Sequence, residues 1–313
     1  MIARRSRARL PWGSLVLFAA LGVCASADAR PEGDAPAPAP RASVAAVVPV
    51  VATPAPLAPG AMAIAYAGKL TQGGWLRGRV PPGAHGLTLD GRALPLAPDG
   101  SFFAAFDRDA GPSATLAVTL ASGMGIATPL AIAPRAWEIE RVDVGKRPGT
   151  APSEEYERRR KVEVARITAA RATDNGGDGW RQSFVWPAMG RLSGRFGAQR
   201  IYRGEPGAYH SGLDITGGTG TPFVAPADGV VILAADEPFT LEGHLLMIDH
   251  GMGLNSAFLH CSQLLVKEGD HVRQGQVIGR IGMTGRATGP HLHWSVRWQD
   301  RRLDPLLFTG PMP

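Results

Sequence analysis

Residues 222–233 read Pro-Phe-Val-Ala-Pro-Ala-Asp-Gly-Val-Val-Ile-Leu, a short apolar run, an Asp228-Gly229 turn and a second apolar run. The same unit recurs as Leu245-Leu-Met-Ile-Asp249-His-Gly251 and as Val266-Lys-Glu-Gly269-Asp-His-Val-Arg-Gln-Gly275-Gln-Val-Ile-Gly279. Glycine turns between β-branched runs of this length mark strands, and the spacing is too short for intervening helices. The C-terminal part from about Phe184 therefore reads as a mainly β, antiparallel domain.

Outward from these strands lie seven of the chain's eight histidines, between 210 and 293. The group opens with His210-Ser-Gly-Leu-Asp214, passes Phe258-Leu-His260 and closes with Gly289-Pro-His291-Leu-His293. Residues i and i+2 of a strand face the same side, so His291 and His293 can share a cavity while Leu292 turns into the core. His210 and Asp214 would stand about 13 Å apart on a straight strand, too far for one ion, and a bend at Gly212 would bring them together. One Asp with two histidines gives three ligands and an open fourth position, the pattern of a catalytic rather than structural zinc site. Spacing alone leaves open which of His291 and His293 binds metal and which moves protons.

N-terminal to this domain the chain changes character three times. Arg4 to Arg9, the apolar run Leu15–Val23 and Ala27-Asp28-Ala29 form a secretory signal over residues 1–29, cleaved after Ala29. Its apolar run is short for a membrane span, so membrane association is expected only if it stays uncleaved. This segment supplies half of the +6 formal charge, and no Lys/Arg stripe interleaved with aromatics follows, which excludes a nucleic-acid partner. Loss of Cys24 with the signal leaves Cys261 as the sole mature cysteine and excludes an internal disulfide. Residues 30–63 are an Ala/Pro-rich tether.

Residues 64–145 read as a small β-sandwich-like module. Asp90-Gly91 and Asp99-Gly100 mark turns, and Ala114 to Leu120 alternates at period two. His85 stands alone there as a surface residue. Within the helical linker 146–183, residues 152–172 are the strong helix candidate, with acids in the first turn and Glu154/Arg158, Glu155/Arg159 and Glu157/Lys161 at the favourable i,i+4 spacing. This helix either connects as a solvated rod or lies near the mouth of the site.

The motifs of residues 190–306 resemble the lysostaphin/LytM-type zinc metallopeptidases, a peptidoglycan endopeptidase family. They are His210-Ser-Gly-Leu-Asp214, Gly-Thr-Pro-Phe-Val-Ala-Pro-Ala-Asp-Gly229, Ile-Asp-His250-Gly, Gly269-Asp-x-Val-x-x-Gly275-Gln, Thr284-Gly-Arg-Ala-Thr-Gly-Pro-His291-Leu-His293 and Asp304-Pro305. The resemblance implies that His210, Asp214 and His293 bind Zn2+ and that His260 and His291 are catalytic, in a domain spanning 184–313. It implies an exported enzyme, periplasmic or secreted, that cuts peptide bonds of peptidoglycan with zinc-activated water. The competing reading is a regulator of other wall hydrolases, which loss of ligands would signal; none is lost. A lipoyl-like carrier is disfavoured, since the 266–276 hairpin has no lysine at its tip. One departure is Phe258-Leu-His260-Cys261, where the family has Tyr-x-His-Leu. Cys261 then reads as a small buried hydrophobe, His244 and His271 as surface residues, and His250 as matching the family without being a ligand.

Overall fold

The computed structural model describes residues 62–145 and 153–313; the signal segment and almost all of the Ala/Pro-rich tether lie outside the described residues. The fold is mainly β. Its largest sheet is antiparallel and orders the strands His271–Val272, Gly229–Ala234, His244–Asp249, Leu254–Cys261, His291–Trp298, Leu213–Thr216 and Leu192–Gly194, with Arg301–Leu303 paired beside His291–Trp298. A small three-stranded sheet of Pro222–Val224, Val277–Arg280 and Gln263–Leu264 lies next to it in sequence and shares its core.

The strand His291–Trp298 shows why the two faces of the large sheet differ. Leu292, Trp294, Val296 and Trp298 are fully or almost fully buried in the hydrophobic core. The alternate residues His291, His293, Ser295 and Arg297 project from the opposite face. One face is thus a structural core and the other a polar working surface.

The N-terminal strands form two antiparallel sheets, Ala65–Lys69/Trp75–Arg79/Ser101–Ala105 and Arg92–Ala93/Ala84–Leu89/Ser113–Leu120/Gly125–Ala131. Ser113–Leu120 alternates as its sequence predicts, with Ala114, Leu116, Val118 and Leu120 buried. Asp90 and Gly91 both adopt positive φ, 50° and 78°, and close a two-residue hairpin between Leu89 and Arg92. His85 falls on the Ala84–Leu89 strand and is exposed.

The core of these sheets continues into the C-terminal domain. Trp75 stacks on Phe308 at 5.2 Å and donates from its indole nitrogen to the Leu307 carbonyl at 3.0 Å. Buried Asp304 pairs with Arg135 at 2.7 Å. A parallel pairing of Ile139–Val142 with Gln199–Tyr202 adds a strand connection not expected from an all-antiparallel reading. It arises because the chain leaves the N-terminal sheets alongside the loop that leads to His210.

The expected helix is Glu154–Arg171, capped by the Ser153 hydroxyl, which accepts from the Tyr156 amide at 3.1 Å. Its charge pairing differs from the i,i+4 expectation. Arg158 pairs with Glu155 at i,i+3 on the exposed face, while Arg160 binds Glu163 at 3.3 Å and Glu242 of the domain at 2.6 Å, because packing turns its face of the helix onto the sheet. Ile167 and Ala170 bury against Leu245, Met247 and Ala257.

Trp75→Ala removes both the ring packing and the hydrogen bond at the joint between the N-terminal sheets and the domain. Truncation of a buried aromatic costs about 3–5 kcal/mol. Urea unfolding should register a loss of that size; a change under about 1 kcal/mol would show that the joint contributes little.

Candidate metal centre

Two adjacent strands assemble the centre. Leu213–Thr216 and His291–Trp298 pair antiparallel in a register that sets Asp214 directly opposite His293 and Thr216 opposite His291. Directly opposite residues have their Cβ atoms about 4.5–5.5 Å apart on one face, within reach of a shared ion. His210 precedes the strand and reaches Asp214 because the chain bends at Gly212, as the spacing requires. A Cβ on Gly212 would lie 2.8 Å from His293 Nε2, and one on Gly194 would run into the Asp214 carboxylate. Both glycines let backbone approach the ligand side chains.

The atoms converge closely. His210 Nε2 lies 3.1 Å from Asp214 Oδ1 and 3.1 Å from His293 Nδ1, and His293 Nδ1 lies 2.8 Å from Asp214 Oδ1. Three ligands at 2.0–2.1 Å from a tetrahedral ion would be spaced by about 3.3 Å, close to the triangle seen here. His210 Nδ1 donates to the Arg195 carbonyl at 3.0 Å, which leaves Nε2 as its lone-pair atom. Lone pairs from two rings and a carboxylate therefore point at one place, an arrangement that demands a proton or a cation. The residues fit a divalent metal.

Electrostatics follow the same geometry. Burial would raise the Asp214 pKa, but the hydrogen bonds and charges of His210 and His293 outweigh it and hold the carboxyl well below its ordinary range. Burial opposes protonation of His210, while Asp214 outweighs it and raises that pKa. For His293 burial wins and the pKa is lowered, which favours the neutral, ligating form.

His260 and His291 stand beside the triad with ring centroids 4.9 Å apart. His260 Nδ1 donates to the Thr284 carbonyl at 2.9 Å and His291 Nδ1 to the Gly289 carbonyl at 2.8 Å, so each directs Nε2 away from the pinned edge. His291 Nε2 comes within 3.6 Å of Asp214 Oδ1. His260 has φ of 64°, in the left-handed region that non-glycine residues avoid, at a bulge where the pairing with His244–Asp249 shifts register. Its position is held by the fold rather than by local preference. Burial lowers its pKa.

The structure thus brings together all five expected site residues. The carbonyls of Arg195, Thr284 and Gly289 that orient the rings were not read from the sequence, because a backbone carbonyl leaves no residue-type signal. The remaining histidines separate. His271 is exposed, while His244 is half-buried, with Nδ1 donating to the Ala235 carbonyl, rather than a surface residue. His250 is buried, bonded to the Asp228 carbonyl and the Ser256 hydroxyl. Phe258 stacks on Phe223 at 5.2 Å in the core, and Cys261 is buried, its thiol pushed up to about 12 by burial.

Comparison with known proteins agrees with this geometry. The Peptidase family M23 profile matches residues 208–305, a span that contains His210, Asp214, His260, His291 and His293. The chain carries a peptidase family M23 domain. Similar proteins include the peptidoglycan DD-endopeptidase ShyA of Vibrio cholerae, 35% identical over 143 residues (44% of this chain and 33% of ShyA). The DD-carboxypeptidase/endopeptidase Mpg of Neisseria meningitidis is 37% identical over 39% of this chain and 28% of Mpg. The match therefore spans about a third or less of these relatives' length. A Pseudomonas aeruginosa crystal structure assigned to peptidase M23 superposes with a TM-score of 0.60 and 29% identity, covering 78% of this chain and 96% of that one. That coverage extends well beyond the M23 stretch, so the fold shared with it includes sheets N-terminal to the M23 domain.

His250 supplies a test of the core beneath the M23 centre. Burial pushes its pKa down to about 4 from an ordinary 6.5. Between those values the unfolded chain takes up a proton that the folded chain refuses, so the stability is present above about pH 6.5 and lost as pH falls toward 4. At about 1.36 kcal/mol per unit the loss is on the order of 3 kcal/mol. Urea stability of wild type should fall more steeply from pH 7 to 4.5 than that of His250→Gln; parallel profiles would refute it.

Proposed function

We propose that this protein is an exported zinc-dependent endopeptidase that hydrolyses peptide bonds in peptidoglycan. The observation that carries this reading is the convergence of His210, Asp214 and His293, spaced for one ion, beside two histidines whose free ring nitrogens face the same space. The names of ShyA and Mpg, both endopeptidases, favour a wall-peptide substrate. Among the described residues no helix is long and apolar enough to cross a membrane. A metal-free regulator would have no use for the full set of five residues, all of which are retained.

His210 Nε2, Asp214 Oδ1 and His293 Nδ1 would hold zinc. Bound there, zinc would polarise a carbonyl as a Lewis acid and bring the pKa of water toward about 7. The two other histidines handle protons. His260, kept neutral by burial, presents an Nε2 lone pair that can accept a proton from water. His291 in its protonated form can donate from Nε2 to the substrate oxygen as negative charge develops there, and later to the departing amine. The pinned Nδ1 atoms keep both rings from swinging away, so little reorientation is needed at reaction.

Zinc-reconstituted wild type should contain about one zinc per chain; metal analysis finding none would end this reading. His291→Ala should retain the metal and lose at least about a hundredfold in cleavage of purified wall, whereas His293→Ala should lose the metal. Equal zinc loss in both variants would contradict the division of roles, and mass spectrometry of released muropeptides identifies the bond cut. Gly194→Ala should lower zinc occupancy without altering a ligand, because its methyl displaces the Asp214 carboxylate.

A further inference from the structure

The triad of His210, Asp214 and His293 sits between a wide cleft and a narrow recess. On the side of His210 and Asp214 opens a cleft of about 1470 Å3, walled by the parallel pair Ile139–Val142 and Gln199–Tyr202. Beyond His293 lies a recess of about 250 Å3 between the helix Glu154–Arg171 and the polar face of the large sheet. The helix is not a solvated rod, since Glu163, Ile167 and Ala170 are buried, and it walls this recess rather than the wide cleft. The recess is lined by Arg171 of the helix, by Ser295 and Arg297 on the strand that carries His293, and by Arg302 on the neighbouring strand.

The charge of this recess is unbalanced. Arg302 stands directly opposite Arg297 in the antiparallel pairing, an arrangement in which like charges destabilise a sheet. Arg171 closes over them from the helix. Among the described residues no carboxylate lies within salt-bridge distance of any of the three. One carboxylate, Glu242, also lines the recess, where Arg160 takes its two oxygens at 2.6 and 2.8 Å; Asp107, which does not line it, accepts from the Arg302 amide and the Tyr209 hydroxyl. The Nε atoms of Arg171 and Arg297 are buried without a hydrogen-bond partner. Burial, and then the charge of Arg297, pushes the Arg171 pKa down to about 10. Arg297 Nη2 donates to the Asp300 carbonyl at 3.1 Å and Arg302 lies over the Tyr209 ring at 5.2 Å, and the donors left over on the three guanidiniums match one anion of carboxylate size, which planar forks bind bidentately.

We propose that Arg171, Arg297 and Arg302 form a subsite for a free carboxylate of the peptide substrate, reached by a chain that crosses the metal centre from the wide cleft. This rests on the endopeptidase reading above. Arg297 lies four residues along the strand from His293, a distance of about 13 Å, so the carboxylate recognised lies about two to four extended residues from the bond cleaved. The subsite selects substrates by charge and fixes the direction in which the peptide lies.

The test measures affinity separately from turnover. Fluorescein-labelled wall stem peptides are prepared with every carboxyl amidated, or with one left free at each position in turn. Anisotropy with the full chain should find one free-acid position that binds at least about tenfold more tightly than the all-amide peptide. Arg297→Gln and the exposed Arg302→Gln should each bring that ratio close to one, with thermal midpoints confirming that both fold. Inorganic phosphate should compete with the free-acid peptide. Equal affinity of all peptides for wild type, or a ratio unaltered in both variants, overturns the subsite. Phosphate binding without any carboxylate preference also overturns it and leaves an inorganic-anion site. A retained preference with no peptide cleaved supports the subsite and removes the peptidase reading, while cleavage without preference does the reverse.

Discussion

The pairing of Leu213–Thr216 with His291–Trp298 is the constraint on which the centre depends. It is an ordinary antiparallel ladder, but its register places Asp214 opposite His293. A slip of one residue would turn His293 into the core and Leu292 to the polar face, undoing both at once. The hydrophobic residues Leu292, Trp294, Val296 and Trp298 oppose that slip, because each would leave a filled core position. The apolar half of the strand thereby fixes the geometry of its polar half. The precision of the candidate metal site is thus a by-product of core packing.

The remaining parts of the centre are positioned by backbone rather than by further side chains. Carbonyls of Arg195, Thr284 and Gly289 each accept from an Nδ1 and so decide which ring nitrogen faces the site. Gly194 and Gly212 clear the space in which Asp214 and His293 sit. His260 carries the clearest local cost, a left-handed backbone conformation on a strand, and its amide is anchored to the Glu242 carbonyl at 2.8 Å. Strain of about 1–3 kcal/mol is tolerated where the surrounding sheet over-determines the residue.

Much of this was legible in the sequence because its signals are short-range. Period two along residues 291–298, the Asp-Gly turns and the need for a bend at Gly212 all follow from neighbouring residues. The family motifs then separated His293 from His291, which spacing could not do. What stayed hidden is long-range. The parallel strand Ile139–Val142, the pairing of Arg160 with Glu242 across the helix–sheet contact and the burial of His250 each depend on segments tens of residues apart. The expected pairing of Arg158 with Glu154 gave way to a local alternative, Glu155 at i,i+3 on the exposed face, which spacing permits equally.

The arginine recess could have been suspected from the strand alone. His291, His293, Ser295 and Arg297 share a face by period two, so a guanidinium follows the histidines along one polar track. What the strand cannot disclose is that Arg302 and Arg171 arrive beside it from other elements. Repulsion among them lowers stability, and the fold offsets it with apolar burial of Ile167 and Ala170 beneath the same helix. A cost of this kind next to a candidate metal triad matches the general pattern in which charge is held unpaired where a ligand is to complete it. On the proposed reading, a peptide lying along this track meets the candidate metal centre first and the positive recess beyond.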